Sequence, residues 1–141
     1  MLKHRPITIE GYTTDELLSL AGEQVDKFIL CRQPMVIKVG SAEILGQFKV
    51  NIDTLVIELA QIQGGGEGVL LSISSIAQQY AVKKGLDKIE WIVHAVDCAK
   101  PNLKLRRILE LRGFKIENLA DVGEAYHYIQ VITKEPAEDW Q

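Results

Sequence analysis

Gln63-Gly64-Gly65-Gly66-Glu67-Gly68 is the stretch of sequence that decides the fold. It joins an apolar, strand-like run at residues 55–62 to a helix-like run at residues 69–84. Glycines let the backbone approach a ligand closely, and a loop that opens into a helix directs unpaired N–H groups and the positive end of the helix dipole at that ligand. The stretch therefore indicates an anion-binding loop for a phosphate or pyrophosphate, and the alternative is a flexible turn.

The composition of the chain predicts one soluble domain. Of 141 residues, 47% are hydrophobic, which is enough for a sizeable core, so we expect a single domain over residues 1–133 and a polar tail over residues 134–141. A net charge of −3 argues against a nucleic-acid or membrane-surface partner. We find no membrane-length apolar run and no signal-peptide core, and we expect a cytoplasmic protein. Cys31 and Cys98 lack metal-ligand spacing, so we expect reduced thiols and no metal.

The first half of the chain predicts one strand, one helix and a strand meander. Residues 7–9 alternate like a short strand, and Thr13 with Glu16 forms a capping-box pattern that starts a helix running to about Leu30. Three alternating, β-branched runs then predict an antiparallel meander: residues 35–39, 42–50 and 55–62.

The second half predicts two helices and three strands. The apolar period changes to 3.6 after the glycine stretch, and Gly85 stands where a helix C-cap belongs. The remaining runs are a strand at 89–96, a helix at 101–112 and closing strands at 114–117 and 126–132. We predict an α+β fold: a mixed, mostly antiparallel central sheet of about six to seven strands with helices on both faces. The strands that flank the glycine stretch and its helix should be parallel neighbours joined by a right-handed crossover.

This element order and two motifs resemble the GNAT superfamily of acyl-CoA-dependent N-acyltransferases. The first motif is Gln63-x-x-Gly66-x-Gly68 before an apolar helix. The second is Asn102 followed at the right separation by Gly113-Phe114, which matches the family pattern Asn-x-x-Ala-x-x-x-Tyr-x-x-x-Gly-Phe at its ends. Together they cover about residues 55 to 130. A P-loop is excluded because Val69, not a lysine, follows Gly68, and the upstream meander disagrees with a dinucleotide-binding unit.

The resemblance implies a GNAT-like domain that binds acetyl-CoA. The amides of residues 64–68 would bind the pyrophosphate, the preceding strand would pair with the pantetheine arm, and Asn102 would hydrogen-bond the cofactor from the start of the later helix. The implied cofactor-binding residues are Leu59, Gln61, Ile62, Gln63, Gly64, Gly65, Gly66, Glu67, Gly68, Val69, Asn102, Leu105 and Arg106.

The resemblance also implies a proton acceptor and a proton donor. Glu58, a carboxylate within an apolar strand, is the first candidate base, and the alternative is a salt-bridged or edge-exposed glutamate. Glu90 and His94 share one strand face and form a second candidate pair, although an interior, hydrogen-bonded histidine is the simpler interpretation. Leu109 stands where the family usually has a tyrosine acid, and the substitutes are Tyr126, which we favour, or His127, Tyr128 or Cys98.

Three functions follow as hypotheses. The first is acetyl transfer from acetyl-CoA to a small-molecule or peptide amine. The second is a catalytically inactive, GNAT-like CoA-binding or protein-interaction module, and it stays open because of Leu109 and the acidic Glu67 within an anion-binding loop. The third is a small structural or antitoxin-partner protein in which the triple glycine is only a hinge. A homodimer through the final strands or through the meander edge is a further expectation, because sheet edges invite pairing.

Overall fold

The structure, a computed structural model, describes residues 7–19, 24, 26–27, 30, 33–40, 42–63, 67–95, 103–120 and 122–132. At residues 14, 17–18, 61–63, 67–69 and 103–104 it describes only the backbone. The strands of this part of the chain are β1 (Ile7–Ile9), β2 (Tyr12–Thr13), β3 (Met35–Val39), β4 (Ala42–Asn51), β5 (Thr54–Gln63), β6 (Lys88–Val93), β7 (Lys115–Leu119) and β8 (Gly123–Val131). The helices with defined bounds are α1 (Thr14–Ser19), α2 (Glu67–Lys83) and α3 (Leu103–Leu111).

The strands form one mixed sheet in the order β2-β1-β3-β4-β5-β6-β8-β7. Every neighbouring pair is antiparallel except β5 and β6, which run parallel from Thr54↔Lys88 to Leu59↔Val93. The predicted α+β class, the meander and the parallel pair are therefore confirmed. The sheet has eight described strands rather than six or seven, and its edges are β2 and β7. A homodimer through the final strands or through the meander edge stays a prediction.

The additional strand arises from a tight turn that the prediction missed. Ile9 pairs with Tyr12, so Glu10 and Gly11 alone connect β1 to β2, with positive φ angles of 51° and 86°. Two consecutive positive φ angles define the hairpin turn that matches strand twist. The predicted capping box is confirmed, because the Thr13 amide donates to Glu16 Oε1 (2.9 Å) and the Glu16 amide donates to Thr13 Oγ1 (3.2 Å).

The predicted first helix is described only in part. Beyond Ser19, residues 24, 26 and 27 are again helical, so a single helix reaching Leu30 stays a prediction. Asp26 accepts hydrogen bonds from the Tyr80 hydroxyl (2.6 Å) and the Lys84 ammonium (2.8 Å). These contacts join the segment around Asp26 to the end of α2.

The two faces of the sheet are covered differently. The first face, defined by Leu55, Ile57 and Leu59 of β5, packs with α2 and α3 in one large core. The second face, defined by Val56 and Glu58, carries a smaller cluster of Val56, Ile92 and Ala125. The alternation of side chains along each strand produces this separation. Among the described residues, the helices with buried side chains pack on the first face.

Helix α2 connects the two parallel strands. Its predicted apolar stripe is buried, and the described members of the stripe are Leu70, Ile73, Ile76, Ala77, Tyr80 and Ala81. The predicted C-cap is confirmed, since Gly85 has a φ of 70° and the Leu86 amide donates to the carbonyl of Ala81 (2.9 Å). None of the helices in the described part of the chain combines the length and the apolar character that crossing a bilayer requires.

Candidate functional site

The parallel strands part at one end, and this point is the candidate site. Their pairing ends at Leu59↔Val93, after which the His94 amide still donates to the Leu59 carbonyl (2.9 Å). Strand β5 continues to Gln63, where it remains paired with β4 through Glu43↔Gln63. Strand β6 ends at Val93. The backbone edge of β5 over residues 60–63 therefore extends past its described pairing with β6.

Helix α3 is hydrogen-bonded to the chain at the end of β6. Arg106 Nε donates to the Ala95 carbonyl (2.6 Å), just after the end of β6. The Ala95 amide in turn donates to the Val93 carbonyl (3.0 Å), which forms a three-residue turn at the end of β6. A guanidinium has five N–H donors and a permanent positive charge, so Arg106 brings a cation to this end of β6.

Glu58 and His94, two of the predicted catalytic residues, are in direct contact. Glu58 Oε2 lies 2.6 Å from His94 Nε2, and the side chains are 34% and 29% exposed. Glu58 pairs in register with Ile92, and His94 follows two residues later, so both side chains reach the second face. The pair therefore combines a carboxylate and an imidazole, partly open to solvent, at the point where the strands separate.

Glu90 does not join His94, although the two residues share a strand face. Residues four apart on a strand lie about 13 Å from each other, which is too far for a hydrogen bond. Glu90 Oε2 instead contacts His127 Nε2 (2.8 Å), and Glu117 Oε2 contacts His127 Nδ1 (2.9 Å). Burial lowers the pKa of His127, but its hydrogen bonds to the Glu90 and Glu117 carboxylates outweigh this effect, so the pKa is raised.

Tyr126 lies apart from the Glu58–His94 pair. It pairs in register with Val93, which faces the core on the first face, and its hydroxyl donates to Glu110 Oε2 (2.7 Å). Burial and then the hydrogen bond to Glu110 raise the pKa of Tyr126. Leu109, at the position of the family tyrosine, is fully buried in the core. A role of Tyr126 as the acid stays a prediction.

The predicted cofactor-binding residues are described unequally. Gly64, Gly65, Gly66 and Asn102 lie outside the described residues, and only the backbone is described for Gln61, Ile62, Gln63, Glu67, Gly68 and Val69. The side chains of Leu59 and Leu105 are buried in the core, so a ligand could contact these residues only through the backbone. Arg106 is the one residue of this predicted set whose described polar side chain reaches the site.

Several polar residues of the site region escaped the sequence interpretation. Glu110 and Glu117 were not expected to contact Tyr126 and His127, since these contacts depend on strand register and helix placement. Side-chain types alone gave no signal for them. The described residues hold no group of three or more His, Cys, Asp or Glu side chains placed to bind a metal ion.

Comparison with known proteins gave matches only among solved structures. No protein-family model matches the chain, and no curated protein matches it. The chain is similar to the ribosomal-protein-S18-alanine N-acetyltransferase of Escherichia coli, at 15% identity over 93% of this chain and 97% of that one, with a TM-score of 0.43.

Two further matches are of the same kind. One is the spermidine/spermine N-acetyltransferase of Vibrio cholerae, at 15% identity over 92% and 94% of the two chains, with a TM-score of 0.44. The other is the PaiA N-acetyltransferase of Thermoplasma acidophilum in complex with coenzyme A, at 14% identity over 89% and 98%, with a TM-score of 0.40. Similarity at this level does not transfer an activity from one protein to another.

Proposed function

We propose that the protein is an acyl-CoA-dependent N-acyltransferase that moves an acetyl group from acetyl-CoA to a small-molecule or peptide amine. The observation that carries this proposal is the 2.6 Å contact between Glu58 and His94 where β5 extends past β6. Amine acylation needs a proton acceptor beside the reacting carbonyl. An open strand edge at the same place can pair with an extended ligand.

The described residues fit a CoA thioester in three respects. The backbone of residues 60–63 extends past the pairing with β6 and can pair with the pantetheine arm. The N-terminus of α2, the positive end of the helix dipole, follows β5 in the sequence after residues 64–66 and suits the pyrophosphate. Arg106 adds a cation at the end of β6 that suits phosphate. Acetyl-CoA, when bound, would supply the acyl group on a thiol leaving group.

Glu58 and His94 would remove the proton of the amine. In the tautomer that donates from Nε2 to Glu58, the Nδ1 lone pair of His94 is available as the base. The nitrogen of the acceptor forms a bond to the acyl carbon, the carbon–sulfur bond breaks, and the proton of the amine passes to Nδ1. Glu58 would hold the ring in this tautomer and stabilise the imidazolium that results.

The charge of the second face suits an amine acceptor. Glu58 pairs in register with Ile92, and Ile92 pairs with His127, so Glu58 and His127 lie on the same face. Glu90 and Glu117 both contact the His127 ring, so all three carboxylates are on this face. Carboxylates along an approach path raise the local concentration of ammonium groups. The departing thiol needs no dedicated acid, because a thiol pKa of about 8.5 makes its thiolate a tolerable leaving group.

A catalytically inactive CoA-binding module is the second candidate function. The observation that favours it is Leu109, whose fully buried side chain fills the position of the family acid and has no proton to donate. Such a module would bind CoA through the same strand edge and helix end but would not release thiol from acetyl-CoA.

The test combines binding with turnover. We expect acetyl-CoA and desulfo-CoA to bind in isothermal titration, and we expect thiol release with at least one member of a panel of polyamines, amino acids and peptides. Glu58→Gln and His94→Gln should each lower turnover by about a hundredfold or more with unchanged CoA affinity. Exposed Glu124→Gln is the matched control. Binding without release across the panel supports the inactive module, and absence of binding overturns both functions.

A further inference from the structure

A second candidate site lies on the first face of the sheet, away from Glu58 and His94. It is a groove of about 350 Å³ between α2 and strands β6 and β8. Small-molecule sites typically have volumes of about 300–1,000 Å³, so the groove is large enough for a ligand of one or two rings. We call it the aromatic groove, after three of its lining residues, Trp91, Phe114 and Tyr128.

The aromatic side chains form a surface suited to a planar ring. Phe114 and Tyr128 have ring centroids 5.2 Å apart and planes tilted by 30°. Trp91 pairs in register with Tyr128 across β6 and β8, so its indole lies beside them on the same face. Aromatic pairs prefer offset or tilted arrangements at about 4.5–7 Å. Tyr128 is 36% exposed and is the ring most open to such a partner, on a wall that it shares with the buried rings of Trp91 and Phe114.

Two polar side chains at the strand side of the groove, Gln130 and Tyr128, can donate hydrogen bonds. Trp91 Nε1 donates to Gln130 Oε1 (3.1 Å), and this bond directs the Gln130 amide so that its NH₂ group keeps donors for another partner. The Tyr128 hydroxyl is a further donor on the wall. Donors that converge on a ligand select groups rich in acceptors.

Arg112 gives the groove its charge. It is the only ionisable cation or anion among the described residues that line the groove, and it follows directly after α3. Within the described part of the chain, the guanidinium of Arg112 forms no ion pair. A single planar cation beside amide donors matches a single carboxylate, which accepts two parallel hydrogen bonds from a guanidinium.

We propose that the aromatic groove binds a small planar aromatic carboxylate. The ring of the ligand lies against Trp91 and Tyr128, and its carboxylate accepts hydrogen bonds from Arg112 and Gln130. The proposal does not rest on acyl transfer, because none of these residues contacts the Glu58–His94 pair. It predicts discrimination by both charge and planarity, since a neutral amide leaves Arg112 without a partner and a puckered ring loses the stacking contact.

The experiment is an amide NMR titration of the full chain with 2-naphthoate. Matched probes are 2-naphthamide, which removes the charge, and cyclohexanecarboxylate, which removes the planar ring. We expect shifts at Trp91, Tyr128 and Gln130. Binding of 2-naphthamide should be about tenfold weaker, as expected for the loss of one charge-assisted hydrogen bond near solvent. Binding of cyclohexanecarboxylate should also be about tenfold weaker, because it loses the contact between aromatic rings. Arg112→Gln should weaken naphthoate about tenfold.

Arg107→Gln is the control, because Arg107 is an exposed residue of the same helix outside the groove. Its naphthoate affinity should equal that of the unmodified protein. Equal binding of naphthoate and naphthamide, or an unchanged affinity in Arg112→Gln, would overturn the proposal. Displacement of naphthoate by desulfo-CoA in competition would also overturn it, since the groove would then belong to the cofactor site.

Discussion

Replacing His127 by glutamine should remove a pH-dependent part of the stability of the protein. The ring joins three strands, because β8 carries His127 while Glu90 lies on β6 and Glu117 on β7. Each ring nitrogen faces a carboxylate, so only the doubly protonated ring can donate to both. Lys115, in register with His127 on β7, is the nearby cation that opposes this charge.

The sign of the pH dependence follows from the raised pKa of His127. Burial lowers this pKa, and the bonds to Glu90 and Glu117 raise it by more. The stabilisation is therefore fully present below the pKa of an unfolded histidine, about 6.5, and is lost as the pH rises through the higher folded-state pKa. Stability should fall between about pH 6 and pH 9 in the unmodified protein and not in His127→Gln.

The magnitude follows from the exposure of the two carboxylates. The bond to Glu90 contributes about 1 kcal/mol, below the range of about 1.5–3 kcal/mol for hydrogen bonds to charged groups, because the Glu90 side chain is 28% exposed. The side chain of Glu117 is 49% exposed, so solvent screening reduces its bond to about 0.5 kcal/mol. Above its folded-state pKa the neutral ring still donates to one carboxylate, so the lost part is one of these bonds together with the charge of the ring. We therefore expect the difference in unfolding free energy between the two proteins to shrink by roughly 1 kcal/mol from about pH 6 to pH 9.

The assay is urea unfolding at a series of pH values, followed by the fluorescence of buried Trp91. A histidine NMR titration measures the pKa of His127 directly, and Glu124→Gln serves as the control for a change of surface charge on the same strand. Parallel pH curves for the unmodified protein and His127→Gln would refute the reasoning, and so would a His127 pKa at or below that of an unfolded histidine.

Two further predictions concern strain and catalysis. Ile52 has a φ of 59° with a side chain that is 92% exposed, so Ile52→Asn should relieve about 1 kcal/mol of backbone strain and raise Tm by roughly 3–5 °C in a thermal melt. An unchanged or lower Tm contradicts this. Tyr126→Phe should cost about 1–2 kcal/mol in urea unfolding, through the lost bond to Glu110. If the thiolate leaves without a dedicated acid, thiol release should change by less than about threefold. A loss of turnover of a hundredfold in a fully folded variant would instead make Tyr126 the acid.

The fold could be predicted where local patterns determine it. Alternating residues defined β3 to β5, the 3.6-residue stripe defined α2, and Thr13 with Glu16 placed the start of α1. Strand β2 was missed because Glu10-Gly11 is a weaker turn signal than Asn-Gly or Asp-Gly. Such a turn becomes evident only once the pairing of its strands is known.

The sequence identified individual residues of the candidate site, but it did not show which of these residues are in contact. Glu58 was expected to be reactive because a carboxylate is costly within an apolar strand, and His94 because it shares a strand face with Glu90. Their contact requires the register of two strands that are separated by α2, and no local pattern contains that register. The same is true of Tyr126 with Glu110, since a helix and a strand meet there.

The single parallel pairing divides the sheet into two halves that differ in how they can fold. Strands β1 to β5 and strands β7 and β8 include hairpins of low sequence separation, which close quickly. The β5–β6 pairing can form only after the chain between the strands has been organised, so we expect it to form late in folding. A ligand bound where β5 and β6 pair would contact both halves of the sheet and hold them together. Hydrogen exchange along β6 should therefore slow when that ligand binds.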